Sequence, residues 1–401
     1  MPATLSDRAQ HLPASAIRRL VPLAVEAKAR GVHVHHLNIG QPDVWSPAVV
    51  AEAMHRYDER LIAYTMSRGV PAYVDVLREY YAGYGVQLSQ NEINVTTGGS
   101  EALLFTMLAV TDPGDEILIP EPYYTNYTTF AQMAGARVVP VTTTMDEGFR
   151  LPPMERLEAA LTPRTRAVLL CNPSNPTGVV YTRSEIEAVA ALCASHKLWL
   201  VIDEVYREFV FEPGPETLRT ALTLDAYADR VIVIDSVSKR FSLCGARVGC
   251  VVSRHEGLMR ALLRLSDARL SPPAVGQVLA SYAYHAPSEY LEQAVETYRA
   301  RRDLAFARVA TIPGARAVLP GGAFYMMVRL PVSDSLHFGS WLLNDFVRDG
   351  ETVMVAPAGG FYATPGLGDD EVRLAFVIDL EPLARAMDLL AEALTVYPGP
   401  R

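Results

Sequence analysis

The sequence predicts an α/β protein: a large domain on a buried, mostly parallel sheet flanked by helices, plus a smaller α+β domain. Three observations carry that expectation. From about residue 90, short near-continuous apolar runs alternate with helical segments, the pattern of strands covered on both faces. From about residue 285, a long polar helical stretch gives way to several strand-like runs and a closing helix. The 401-residue length also exceeds what a single hydrophobic core usually serves. The expected division is an N-terminal arm with part of the small domain at 1–45, a large domain at 46–285 and the small α+β domain at 286–401.

Taken in order, the chain opens with a short arm and a helix around Ala16 to Arg30. HVHHLNIGQPD then reads as a strand entering a turn, punctuated by Gly40 and Pro42. INVTT at 93–97 leads into a helix through Glu101 to Val110, and EILIP at 116–120 into one near Asn126 to Ala134. ARVVPV, RAVLLC, LWLVID and RVIVIDS continue the strands, with a helical stretch at 183–196 between two of them. The second region begins with a helix from Ser288 to Val309. ARAVLP, GGAFYMMVRL, a helix near Ser340 to Asp349, VMVAP, VRLAFV and a last helix from Glu381 follow.

Composition narrows the function classes. A formal net charge of -9 opposes binding to nucleic acid or anionic membranes. Cys171, Cys193, Cys244 and Cys250 form no C-x-x-C pair and sit among apolar neighbours, which fits buried, reduced thiols. The N-terminus lacks an apolar signal-like core, and no run of about 18 apolar residues appears. A cytoplasmic protein without membrane or nucleic-acid partners is expected. No metal ligand set is assigned.

The chemistry concentrates at strand ends, where ligands collect in open α/β sheets. SVSKRFSLCGARVG at 236–249 follows RVIVID and offers one amine, Lys239, among Ser236, Ser238 and Arg247. A partly desolvated lysine amine can form an imine with an aldehyde, while hydroxyls and a guanidinium clamp a phosphate. Asp203 ends LWLVID, and Tyr206 stands three residues on. Such an aspartate either caps a helix or keeps a pyridine nitrogen protonated. CNPSNPTG at 171–178 places Asn175 in a Pro-stiffened turn. TTGGSEALL at 96–104 runs through glycines into a helix whose N-terminus suits an anion. Tyr124, in EPYYTNY, supplies a flat aromatic face.

Together these segments resemble the fold-type I pyridoxal-phosphate enzymes, specifically the class I/II aminotransferases related to aspartate aminotransferase. The resemblance extends from LNIGQPD at 37–43 to EVRLAF at 371–376. It rests most specifically on the S-x-S-K-x(7)-R segment and the N-P-T-G loop occurring in order. It implies a seven-stranded-type sheet, pyridoxal 5'-phosphate as cofactor and a ping-pong exchange of an amino group between an L-amino acid and a 2-oxo acid.

By position, the resemblance makes Lys239 the Schiff-base lysine and proton carrier, with Asp203 partnering the ring nitrogen. Asn175 and Tyr206 would meet the ring's phenolic oxygen and Tyr124 would stack on the ring. Gly99, Ser100, Ser236, Ser238 and Arg247 would hold the phosphate. Arg373 would grip the substrate α-carboxylate, with Asn175 beside it and Gly40 closing over it. Tyr64 matches a tyrosine that reaches the neighbouring subunit's phosphate, which implies a homodimer with shared sites.

The resemblance leans to aspartate or another acidic amino acid with 2-oxoglutarate. The lysine that some bacterial relatives carry after the Gly-Gly turn is Ser100 here, so Arg269 becomes a candidate for the distal carboxylate, against a plain salt-bridged arginine. Tyr123, Tyr124, Tyr127, Tyr325 and Tyr362 leave an aromatic or other amino acid open as substrate. A carbon–sulfur lyase on the same scaffold is the other alternative, and a DNA-binding regulator is disfavoured by the acidic charge.

Overall fold

The computed structural model describes residues 4–6, 9, 10, 12, 13, 16–58 and 60–399. Its strands in chain order are β1 (His33–His36), β2 (Ile93–Thr96), β3 (Glu116–Glu121), β4 (Arg137–Thr142), β5 (Thr165–Cys171), β6 (Trp199–Asp203) and β7 (Val231–Ser236). They continue with β8 (Gly249–Val252), β9 (Arg316–Ala317), β10 (Tyr325–Arg329), β11 (Glu351–Met354), β12 (Ala356–Pro357) and β13 (Glu371–Ala375).

The main sheet has seven strands in the order β2-β8-β7-β6-β5-β3-β4. β8 runs antiparallel to both neighbours, and the remaining pairs are parallel. The apolar runs explain why. Val231, Ile232, Val233 and Ile234 of β7 are all buried to within 1%, each contributing about 1.5–3 kcal/mol relative to exposure. Such a strand tolerates no solvent face, so helices cover both sides. The parallel order aligns the carboxyl ends of β5, β6 and β7, setting Cys171, Asp203 and Ser236 along one edge.

A second sheet, β12-β13-β10-β9, is antiparallel throughout, and β1 pairs separately with β11 in parallel. This pairing ties the N-terminal segment to the C-terminal region. Two expected elements lie elsewhere. The helix expected near Ser340 to Asp349 spans Ser335–Asn344, because Asp334 caps it by accepting the His337 N–H at 2.9 Å. The helix expected around Ala16 to Arg30 is a 3₁₀ turn, Ala16–Arg18, followed by a helix at Val21–Ala29; Pro22 within the first turn suits that restart. Helices at Ala48–Arg56, Pro71–Ala82, Glu256–Arg269 and Ala274–Ala283 join those expected from the sequence. Among the described residues no helix is long and apolar enough to cross a membrane.

Candidate active site

A cavity of about 780 Å³ opens beyond the carboxyl ends of the main-sheet strands. Its lining gathers Gly40, Gly99, Ser100, Tyr124, Asn175, Asp203, Tyr206, Ser236, Ser238, Lys239, Arg247 and Arg373. Of the residues matched to cofactor or α-carboxylate roles, Tyr64 lies outside it, 81% exposed, and of the substrate candidates Arg269, Tyr123 and Tyr362 are likewise not in the lining.

One end of the cavity is built for an anion. β2 passes through Thr97 into the helix Gly98–Val110, whose first turn is Gly98, Gly99 and Ser100. Arg247 adopts a left-handed backbone at φ 54, a conformation that costs a non-glycine residue about 1–2 kcal/mol. Its guanidinium lies over Gly98, where a Cβ would meet Arg247 Nη2 at 2.5 Å, and the φ of 74 at Gly98 itself favours glycine. Ser236 Oγ donates to the Val248 carbonyl at 2.8 Å and accepts the Ser238 N–H at 3.2 Å. Helix-start N–H groups, two hydroxyls and a guanidinium therefore converge on one spot.

Asp203 forms the floor. Burial pushes its carboxyl up to about 6, against the hydrogen bonds that favour ionisation. Tyr127 donates to Asp203 Oδ2 at 2.7 Å, and the Val205 N–H to Oδ1 at 3.3 Å. Among the described residues no cation pairs with this carboxylate, which leaves it open to a cationic group of a ligand. Tyr206 is held well above the ordinary phenol range by burial and by Tyr325, which keeps it a neutral donor. Its hydroxyl lies 2.7 Å from Tyr325 Oη.

The opposite wall carries Arg373, 1% exposed, on β13. Its Nη1 donates to Asn175 Oδ1 at 3.1 Å and its Nη2 to the Asn38 carbonyl at 2.6 Å, while Nε has no partner among the described residues. The guanidinium sits 4.4 Å from the Tyr325 ring centroid and 5.0 Å from that of Phe361. Burial lowers its proton affinity below the usual arginine range, although arginine stays charged in proteins. A buried guanidinium without a carboxylate is costly to maintain and is poised for a carboxylate ligand. With its oxygen turned to Arg373, Asn175 has its amide N–H groups for an oxyanion.

Lys239 lies between the two walls, donating from Nζ to the Gly40 carbonyl at 2.8 Å. Gly40 has no room for a side chain, since a Cβ would stand 1.9 Å from Tyr325 Oη. The segment after β1 is thereby packed directly over the amine.

Sequence reading missed four contributors. Tyr127 and Tyr325 were grouped with possible substrate-facing tyrosines, yet they position Asp203 and Tyr206. Asn38 acts through its backbone carbonyl, which no side-chain pattern reports. Arg18 reaches the cavity from the N-terminal 3₁₀ turn, in a segment with no motif of its own.

Arg269 is not among the cavity-lining residues. It pairs with Glu101 Oε2 at 2.7 Å, donates to the Ser67 carbonyl at 3.0 Å and also to the Leu270 carbonyl at 3.0 Å. Its donors are spent inside the chain, so Arg269 is a salt-bridged arginine and not a group facing the cavity.

Fold and site together define a pyridoxal-phosphate-dependent aminotransferase scaffold. The family model described as aminotransferase class I and II matches residues 32–388, and the chain belongs to that family. The aspartate aminotransferase of Geobacillus stearothermophilus is 30% identical over 96% of this chain and 97% of its own length. The aspartate/prephenate aminotransferase of Thermus thermophilus is 31% identical over 97% and 98%. Among solved structures, an aspartate aminotransferase from Thermus thermophilus with maleate superposes at a TM-score of 0.87, with 30% identity, 98% of this chain and 100% of that one covered. An alanine aminotransferase from Pyrococcus furiosus reaches 0.87 at 28% identity over the same shares. The protein is a pyridoxal-phosphate-dependent transaminase.

Proposed function

We propose that the chain exchanges an amino group between an acidic L-amino acid, aspartate foremost, and 2-oxoglutarate. The observation that carries this reading is the set of cations around the cavity. Among the described lining residues these are Arg18, Lys239, Arg247 and Arg373. Lys239 would serve as the reacting amine, Arg247 would hold the phosphate and Arg373 the α-carboxylate. Arg18 remains for a second carboxylate. Ile17 beside it packs on the cluster holding Ala358 and Phe361, and the Phe361 ring lies under Arg373. The two carboxylate-binding arginines thus share one packed support, which suits a short dicarboxylate. The Thermus relative solved with maleate, itself a four-carbon dicarboxylate, agrees with this.

In this reading the cofactor, when bound, supplies the electron sink. Gly99, Ser100, Ser236, Ser238 and Arg247 would hold its phosphate, and Tyr124 would lie beside its ring. Asp203 would keep a proton on the ring nitrogen. Tyr206 and Asn175 would donate to the ring oxygen. Arg373 takes the α-carboxylate through a bidentate pair and so fixes the direction of the Cα–H bond. Lys239, the catalytic base and acid, removes the Cα proton and returns it during the ping-pong half-reactions. Gly40 and its neighbours exclude water above the amine.

The assembly proposed is a homodimer. Tyr64 is exposed together with Trp45, Leu61, Ile62 and Met66, an apolar strip of the kind that an interface covers. The domain division proposed remains 1–45 with 286–401, and 46–285. Every strand of the seven-stranded sheet falls within 93–252, and the other strands fall at 33–36 and 316–375.

A donor panel tests the substrate reading. In the wild type, kcat/KM is expected to be greatest for aspartate or glutamate. Arg18→Gln should lower those values by about ten- to a hundredfold, as loss of one charge-assisted contact implies, and leave alanine unchanged. Equal losses for alanine, or a wild-type preference for aromatic donors, would move the assignment to the aromatic alternative. Release of ammonia and a 2-oxo acid from a cysteine-type substrate would identify the lyase.

A further inference from the structure

We propose a divalent transition-metal site at His33, His35 and Glu351, outside the active-site cavity. His33 and His35 are two apart on β1 and therefore share one face. Glu351, at the start of β11, is the direct cross-strand partner of His33. The ligand atoms of all three lie within 4.8 Å of one another. His35 Nε2 stands 3.1 Å from Glu351 Oε1, close to the ~3.3 Å separation that tetrahedral zinc with ~2.0 Å bonds imposes on two ligands. The two imidazole centroids are 4.6 Å apart and the rings nearly perpendicular, so a small rotation of exposed His33 closes the triangle around an ion.

The surroundings prepare the carboxylate for this role. Arg385 Nε holds Glu351 Oε2 at 2.5 Å, which turns Oε1 toward the histidines. Arg385 also donates to Asp349 Oδ2 at 2.9 Å. Its positive charge is therefore divided between two carboxylates, and the cluster keeps a net negative charge for a cation. Two imidazole nitrogens and one carboxylate oxygen select zinc, cobalt or nickel over magnesium or calcium, which prefer all-oxygen sets. Water completes the coordination on the exposed side.

Such an ion cross-braces β1 to β11. β1 leads straight into Asn38 and Gly40, whose carbonyls accept from Arg373 and Lys239. The site would steady the segment that covers the amine, without touching the reacting atoms.

The test uses the full-length, untagged, cofactor-loaded protein, freed of metal by chelator and titrated with zinc chloride by calorimetry. One saturable equivalent is expected in the wild type, with a rise in unfolding temperature and no response to magnesium. His33→Ala, at an exposed position, should keep the fold and weaken zinc binding at least about tenfold. Glu351→Gln should do the same. Absence of saturable zinc uptake by the wild type, or undiminished binding by His33→Ala, would overturn the site.

Discussion

Consecutive residues at the ends of β6 and β7 meet opposite fates. Asp203, Tyr206, Ser236 and Lys239 line the cavity, whereas Glu204, Arg207, Asp235 and Arg240 point into a buried ionic cluster. In that cluster every charge is answered. Arg207 pairs with Glu204 and with Asp235 at 3.2 Å; Arg240 takes Asp235 at 2.9 Å and Glu208 at 3.2 Å. Tyr81 and Tyr84 donate to Asp235 and Glu208, Tyr80 also donates to Glu208, and the Tyr284 hydroxyl accepts from Arg240 at 2.7 Å. Although burial pushes the Asp235 carboxyl up, Arg240 and Arg207 pull it below the ordinary carboxylate range. On the cavity side, Asp203 and Arg373 are as deeply buried and face no opposite charge. The difference teaches how to tell structure from function here: a satisfied buried charge holds the scaffold, and an unsatisfied one waits for a ligand.

The largest effect should come from breaking the satisfied side. Arg240→Ala strips Asp235 and Glu208 of a buried partner and is expected to cost about 3–5 kcal/mol of stability, measurable by urea unfolding. Arg373→Ala removes no carboxylate's partner. It should cost much less stability and lower kcat/KM about a hundredfold or more, the effect of losing a buried charge-assisted contact. If the two variants lost stability equally, the distinction between the faces would collapse.

Next in size is the titration of Asp203 in the cofactor-free protein. Its folded value of about 6 lies above the ordinary 3.8, so the folded state binds the proton more tightly than the unfolded chain. The associated stability is full below about pH 4 and is lost as pH rises through about 6, a total of about 3 kcal/mol. Asp203→Asn should abolish that component. The stability of the variant minus wild type should therefore grow by about this amount between pH 4 and 7 in unfolding experiments. With cofactor bound the ranking should reverse, because the carboxylate then faces a protonated ring nitrogen. A pH-independent difference would mean that Asp203 is already compensated.

What was legible in the sequence follows the same division. Lys239, Asp203 and Asn175 stand just at or past strand ends within local motifs, and the parallel sheet brings those ends together, whereas Arg373 arrives from mid-strand β13 of the antiparallel sheet. The alternation of apolar runs and helices likewise carried the main sheet, because burial on both faces leaves a compositional trace. Tyr127 and Tyr325 were harder to place, since their partners lie 76 and 119 residues away and a tyrosine in a tyrosine-rich stretch has no distinguishing neighbour. Arg207 and Arg240 look like solvated charges in a linear sequence. Only their places in the turn after β6 and in the short helix Val237–Arg240 after β7 send them inward. The shifted helix at Ser335–Asn344 shows a simpler limit: the Asp334 cap outweighed an apolar pattern that continues past it.

Arg269 offers the finest test of the comparison, because its sequence leaves both a distal-carboxylate role and a plain salt bridge open and its contacts are those of the salt bridge. Its guanidinium joins Glu101 on the first turn of the helix Gly98–Val110 to the Ser67 carbonyl. Glu101 Oε2 also accepts the Thr97 N–H at 2.8 Å, so the pair steadies the turn that presents Gly99 and Ser100. Arg269→Gln should therefore cost about 1–2 kcal/mol, the range for a partly exposed charged hydrogen bond. It should weaken cofactor retention modestly and leave the aspartate-to-alanine ratio of kcat/KM unchanged. A selective loss of aspartate turnover would instead return Arg269 to the distal carboxylate and remove that role from Arg18. The ratio is the decisive readout, since a disturbed phosphate cradle lowers both substrates together.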